Sequence, residues 1–132
     1  MLFKNLLLAV LLIFPSASIA HSPLASSSPQ DGETLNVPIT KIVMHFESPA
    51  KLIKVDLRKQ PSQLERRLFD GIFGSNKGDA VPLGTDFLMT MDKRHLIPLQ
   101  ALKDGSYSLS WRAMGEDGHV IKGNFTFYIK VN

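Results

Sequence analysis

The stretch of sequence that decides the fold is residues 107–131, YSLSWRAMGEDGHVIKGNFTFYIKV. Both of its ends alternate apolar and polar residues with a period of two, which is typical of strands that bury one face. The apolar sets are Tyr107, Leu109, Trp111 and Ala113 in the first segment, and Phe125, Phe127, Ile129 and Val131 in the second. Between them, residues 115–118 read Gly-Glu-Asp-Gly, the composition of a tight connection. The stretch therefore predicts a hairpin of two antiparallel strands.

Two earlier segments alternate in the same way. The first places Ile42, Met44 and Phe46 on one face and Lys41, Val43 and His45 on the other. The second alternates Ile53, Val55 and Leu57 with Lys54 and Asp56. Short strands separated by turn residues predict an all-β fold, an antiparallel Greek-key sandwich or barrel of immunoglobulin-like or cupredoxin-like shape. In the less regular middle, the pattern of residues 62–73 predicts one or two helical turns that end near Gly71.

The first twenty residues have the layout of a cleaved secretory signal. Lys4 supplies a positive charge, residues 6–14 form an apolar run, and small residues precede a cleavage point after Ala20. The apolar run is too short for a permanent membrane span, which disfavours the alternative of an uncleaved anchor. We therefore predict a signal over residues 1–20, a single exported domain over residues 21–132, and no membrane insertion after processing.

Charge and cysteine content exclude several classes of function. Lys4 is the only charged residue in the predicted signal, so residues 21–132 carry 14 basic and 12 acidic residues. This weak excess, with no basic run longer than Arg66-Arg67, argues against a nucleic-acid partner. The chain has no cysteine, which excludes disulfides and every thiolate metal site. Any metal must be held by histidine, carboxylate, methionine or the chain terminus.

Two features of the sequence indicate candidate metal ligands: the predicted N-terminal His21 and the Asp117-Gly118-His119 motif. Cleavage after Ala20 would make His21 the first residue, and its α-amine and ring nitrogen could then chelate one ion in the tetragonal geometry that suits Cu(II). Asp117-Gly118-His119 places a carboxylate and an imidazole two residues apart, on the same side of an extended chain. The alternatives are a histidine exposed by chance and an ordinary solvated turn.

Several motifs together resemble the CopC-type copper resistance proteins, which are small periplasmic copper carriers. The matching residues are His21, Ser22, Leu24, residues 27–29, Asp31-Gly32, residues 46–49, residues 97–99, Leu102, residues 105–107, Trp111-Arg112, residues 117–119, Gly123, Phe125 and Phe127. The combination of Trp-Arg and Asp-Gly-His with a histidine at the predicted N-terminus is specific, whereas no single piece is. The resemblance covers both ends of residues 21–132 and lapses between Arg58 and Thr85.

The resemblance implies a metal site and a role. It implies that Cu(II) is bound by the amine and ring of His21 and by Asp117 and His119, with Glu47 as a further ligand in some members. It also implies a periplasmic protein for copper storage, transfer or resistance, without catalysis, that passes copper to a CopD-like transporter of the inner membrane. We expect the protein to be a monomer.

The family's second site, for Cu(I), is rich in methionine and absent from many members. Met89 and Met91, with His95 nearby, could supply such a site, since thioethers suit Cu(I). We predict instead that Met89 and Met91 lie on the core face of a strand with Phe87, because methionine at strand alternation is more often core than ligand. His45 and His95 are predicted to lie at the surface.

Two other functions remain compatible with the sequence. A histidine brace at the N-terminus also serves copper oxygenases that cut polysaccharides, although Asp117 would crowd the open coordination position of such an enzyme. The second alternative is a metal-free immunoglobulin-like adhesion module.

Overall fold

The computed structural model of the chain describes residues 24–69 and 78–132. The elements in chain order are β1 (Leu24–Ser28), β2 (Thr34–Leu35), β3 (Lys41–Lys59), α1 (Gln63–Phe69), β4 (Asp79–Val81), β5 (Met91–Pro98), β6 (Gly105–Gly115) and β7 (Val120–Ile129). The predicted signal over residues 1–20 and the predicted ligand His21 lie outside the described residues. None of the helices in the described part of the chain has the length and apolar character needed to cross a membrane.

The long strand β3 organises the molecule. Its first part pairs with β1, its second part pairs with β4 and β6, and β5 pairs with both parts. The register shifts between His45 and Ala50, so the two segments predicted as separate strands are one strand with an irregularity in the middle. Buried side chains from both parts of β3 join those of β5, β6 and β7 in one hydrophobic core. The predicted all-β sandwich is confirmed.

The predicted hairpin of β6 and β7 is also confirmed. The two strands pair antiparallel from Gly105–Ile129 to Met114–Val120. All four apolar residues predicted for β6 are buried, and so are Phe125, Phe127 and Ile129 of β7. Val131 follows the end of β7 and is exposed, so its predicted place in the core is wrong.

Two details of the predicted sheet differ from the structure. A bulge in β3 between Leu52 and Lys54 reverses the face on which side chains lie, so Leu52 is fully buried while Ile53 is only partly buried. A simple period of two could not reveal this extra residue. The short strand β2 runs parallel to β7, so the sheet is not wholly antiparallel as predicted.

The middle of the chain contains the predicted helix. Ser62 caps it reciprocally with Glu65: the Glu65 N–H donates to Ser62 Oγ at 3.2 Å, and the Ser62 N–H donates to Glu65 Oε2 at 2.6 Å. This second bond lowers the pKa of Glu65. Leu64 and Leu68 are exposed, so their helical spacing does not mark a buried face. The predicted end near Gly71 lies outside the described residues.

Candidate metal centre

The connection between β6 and β7 is a tight turn that fixes Asp117 and His119. The Gly118 N–H donates to the Gly115 carbonyl at 3.1 Å, and the Gly115 N–H donates to the His119 carbonyl at 3.0 Å. Gly118 has a φ of 81°, in the left-handed region that favours glycine. A three-residue hairpin loop commonly ends with a left-handed residue, and glycine adopts that conformation without strain. The Asp-Gly-His motif thus carries both the turn and the two side chains.

Asp117 and His119 bind each other through two hydrogen bonds. Nδ1 of His119 lies 2.8 Å from Oδ2 of Asp117, and the His119 backbone N–H donates to Oδ1 at 3.0 Å. The ring contact lowers the pKa of Asp117 and raises the pKa of His119, because the carboxylate stabilises the protonated imidazole. The side chains are 84% and 68% exposed for His119 and Asp117, so both remain accessible to an ion from solvent.

Glu47 faces this hairpin across a shallow depression. Ala50 pairs directly with Gly115, which places the irregular part of β3 beside the β6–β7 turn. Residues 47–50 form one wall of a depression of about 460 Å³, and Gly115, Glu116, Asp117, His119 and Ile121 form the other. Phe46 is buried in the core immediately before Glu47, which anchors this wall. The structure therefore brings together three of the four predicted ligands, Glu47, Asp117 and His119, around one opening.

The three side chains do not make a complete site by themselves. Among residues 24–69 and 78–132, no group of three or more histidine and acidic residues is close enough to hold an ion. The closest approach is the pair formed by Asp117 and His119, with Glu47 at the opposite wall. His21, the fourth predicted ligand, lies outside the described residues.

His95 is buried, so the prediction that it lies at the surface is wrong. It is 4% exposed, and its Nε2 lies 2.8 Å from the Ala50 carbonyl and 2.9 Å from the Asp92 carbonyl. Its ring also packs edge-on against Phe46, with ring centroids 5.5 Å apart. A buried imidazole is tolerated here because two backbone acceptors face it. His95 therefore ties β5 to the irregular part of β3 beside Glu47, and no residue pattern in the sequence signalled this role. His45 is exposed, as predicted.

Met89 and Met91 are not core residues, so that prediction is wrong. They are 59% and 42% exposed, although Phe87 does pack partly against the core. Met89 precedes β5 with a left-handed backbone, φ 66°, and Met91 is the first residue of the strand. Both therefore lie beyond the buried part of β5. The Nε2 atom of His95 is turned to the backbone carbonyls of Ala50 and Asp92.

Comparisons with known proteins agree with this architecture. The family model described as the CopC domain matches residues 24–130. Copper resistance protein C of Escherichia coli is 28% identical over 116 residues, covering 86% of this chain and 85% of that protein. A crystal structure of PcoC, a methionine-rich copper resistance protein from Escherichia coli, superposes with a TM-score of 0.60 at 26% identity, covering 84% of this chain and 100% of that one. The crystal structure of CopC from Methylosinus trichosporium OB3b superposes with a TM-score of 0.60 at 18% identity, covering 83% and 94%, and shares the fold.

Proposed function

The chain belongs to the CopC family, and on that premise we propose that it is a periplasmic carrier whose cargo is Cu(II). The observation that carries the proposal is the Asp117–His119 pair, which lies in one depression with Glu47. Copper is bound by these residues together with the α-amine and ring of His21 after signal cleavage. Imidazole, amine and carboxylate ligands in a tetragonal arrangement suit Cu(II).

The spacing within the pair supports this assignment. Two ligand atoms at right angles and about 2.0 Å from a metal are about 2.8 Å apart. Nδ1 of His119 and Oδ2 of Asp117 are 2.8 Å apart. One copper ion can therefore bind both atoms in place of the proton, once the ring has turned so that the Nδ1 lone pair points to the ion instead of to Oδ2. Nε2 lies on the far side of the ring, so an ion bound there could not also contact Oδ2.

The role that follows is storage, transfer or resistance, with no chemical conversion of a substrate. The family resemblance suggests that copper passes to a CopD-like transporter of the inner membrane, and that the carrier is a monomer. The high exposure of Asp117 and His119 supports transfer, since a partner could reach ligands that lie on a hairpin at the surface.

A competition titration of Cu(II) against a chelator tests the proposal. The protein that begins at His21 is compared with one that retains Ala20. In the extended protein the nitrogen of His21 is an amide and a poor ligand, so affinity should fall by about 100-fold, equivalent to about 3 kcal/mol. Circular dichroism should show the same fold for both proteins. Equal affinities would remove His21 from the ligand set.

A matched pair of histidine variants tests the hairpin. His119→Ala should lose most of the Cu(II) affinity, whereas His45→Ala, at an exposed position of β3 outside the depression, should keep it. Electron paramagnetic resonance should show nitrogen hyperfine structure in the natural protein. Metal-free protein after copper exposure would favour the adhesion module, and oxidised oligosaccharides formed from chitin or cellulose would favour the oxygenase.

A further inference from the structure

A row of three basic side chains crosses the outward face of the sheet. Lys54 of β3 is paired with Arg112 of β6, and Arg112 is paired with Lys122 of β7. All three are exposed, and the next row, which includes Trp111, faces the core. Residues paired directly across antiparallel strands have Cα atoms about 4.5–5.5 Å apart. The three cations, here called the basic row, therefore start within about 10 Å of one another.

Within residues 24–69 and 78–132, no acidic side chain forms an ion pair with the basic row. Asp56 is the one acidic residue that lines the same depression, and its Oδ2 accepts a hydrogen bond from Arg58 Nε at 2.9 Å. Lys54, Arg112 and Lys122 form no ion pair with any residue of the described ranges. Like charges directly opposite each other across strands are destabilising. The protein without a ligand therefore carries an unfavourable interaction that a bound anion would relieve.

The surface around the basic row has the shape and the donors of a small-ligand site. It is a depression of about 490 Å³, within the range of ligand pockets, and Ser110 and Asn124 lie along its edge. These two residues are paired with each other, and Ser110 is also paired with Asp56, two positions along the strands from the cations, so this row faces the same side as the basic row. None of the lining residues also lines the depression of the metal centre.

We propose that the basic row binds a small oxyanion that carries at least two negative charges, such as a phosphate compound. Arg112 at the centre can bind two oxygens at once through its planar guanidinium, and the flanking lysines act as point charges. Ser110 and Asn124 donate hydrogen bonds to the remaining oxygens. The phosphate group belongs either to a free compound or to a lipid headgroup, and the chemistry of recognition is the same.

Calorimetric titration of the metal-free protein with pyrophosphate tests this site. At low ionic strength, binding should saturate at one pyrophosphate per chain, and Arg112→Gln should weaken it about tenfold. Arg94→Gln is the matched control, because Arg94 is an exposed arginine of β5 outside the row. Pyrophosphate should raise the thermal midpoint of the natural protein and of Arg94→Gln more than that of Arg112→Gln. Lys122→Gln provides a second variant if Arg112→Gln folds poorly.

Equal weakening by Arg112→Gln and Arg94→Gln would overturn the proposal, since it would show attraction to overall charge. Absence of saturable binding would overturn it as well. Cosedimentation with vesicles containing phosphatidylglycerol identifies the source of the phosphate. Vesicle binding that pyrophosphate displaces and Arg112→Gln reduces supports a lipid headgroup, whereas pyrophosphate binding without vesicle binding supports a free compound. Because the protein is metal-free throughout, these outcomes are independent of the copper proposal.

Discussion

Gly123→Ala places one methyl group against the only tryptophan of the chain. A Cβ atom at residue 123 would lie 2.7 Å from Cζ2, 2.9 Å from Cε2 and 3.1 Å from Nε1 of Trp111. The indole ring cannot move away freely, because it is buried and packs edge-on against Phe46 with ring centroids 5.2 Å apart. The substitution therefore overfills the core at the point where β6 and β7 pair.

Two opposing effects set the magnitude. Alanine in place of glycine within a strand is worth about 0.5–1 kcal/mol in favour of folding. Overfilling a well-packed core costs about 1–3 kcal/mol. We expect the free energy of unfolding to fall by about 0.5–2 kcal/mol, measured by urea denaturation followed by circular dichroism. Gly84→Ala is the control, because its Cβ would meet no atom within 4 Å and its stability should be unchanged or slightly higher.

A double-mutant cycle with Trp111→Phe identifies the cause. Phenylalanine lacks the atoms that meet the new methyl group, so Gly123→Ala should cost nothing in the Trp111→Phe background. The indole Nε1 has no hydrogen-bond partner among the described residues, so Trp111→Phe by itself sacrifices packing and no hydrogen bond to them. The reasoning is refuted if Gly123→Ala is as stable as the natural protein, or if it costs the same in both backgrounds.

Three further predictions concern the hairpin of the metal centre. Gly118→Ala and Gly32→Ala each force alanine into a left-handed backbone, with open space around Cβ. The free energy of unfolding of each variant, measured by urea denaturation, should therefore fall by about 1–2 kcal/mol. Only Gly118→Ala should also weaken copper binding. The pKa of His119 in metal-free protein, followed by NMR, should lie above about 6.5, and Asp117→Asn should lower it, because the carboxylate that stabilises the imidazolium is removed. Apparent Cu(II) affinity should fall as the pH is lowered from about 7 to about 5, because His119 binds a proton below its raised pKa and copper must displace that proton. An affinity that does not change with pH over this range would exclude the imidazole as a ligand.

The sequence predicts the fold best where one face of a strand is buried along its whole length. Tyr107, Leu109 and Trp111 alternate without interruption because β6 lies between two partner strands over the core. The predicted alternation holds at Val55 and Leu57 but not at Ile53, because the bulge between Leu52 and Lys54 inserts a residue that a simple period of two does not reveal. Local patterns therefore identify strands better than they identify irregular pairing.

Burial at strand ends is harder to predict, because it depends on where the core stops. Met91 lies an even number of residues from His95 and Ile97 on β5, so alternation predicts the same face for all three, yet Met91 is exposed while the other two are buried. His95 is buried because the carbonyls of Ala50 and Asp92 satisfy its ring, and neither contact can be read from a histidine in a polar segment. The alternation along a strand therefore predicts which side chains share a face, but it does not predict how far along the strand the core extends.

For the candidate site, the local motif carried the most information. Asp117 and His119 are two residues apart, and their contact follows from the turn at Gly118. Glu47 reaches the same depression only through the pairing of β3 with β6, so residue patterns alone could not place it there, and the family resemblance was needed. The role of His21 as a ligand remains a prediction from the N-terminal sequence.

The pairing of β3 with β6 also links the depression to the integrity of the whole sheet. Ala50 and Gly115 lie far apart in the chain and meet only because the two strands pair, whereas Asp117 and His119 are separated by one residue. The contact between Asp117 and His119 is therefore local and needs only the turn. The position of Glu47 beside them depends on the folded sheet, so a change that separates β3 from β6 would remove one wall of the depression and leave the Asp-Gly-His turn intact.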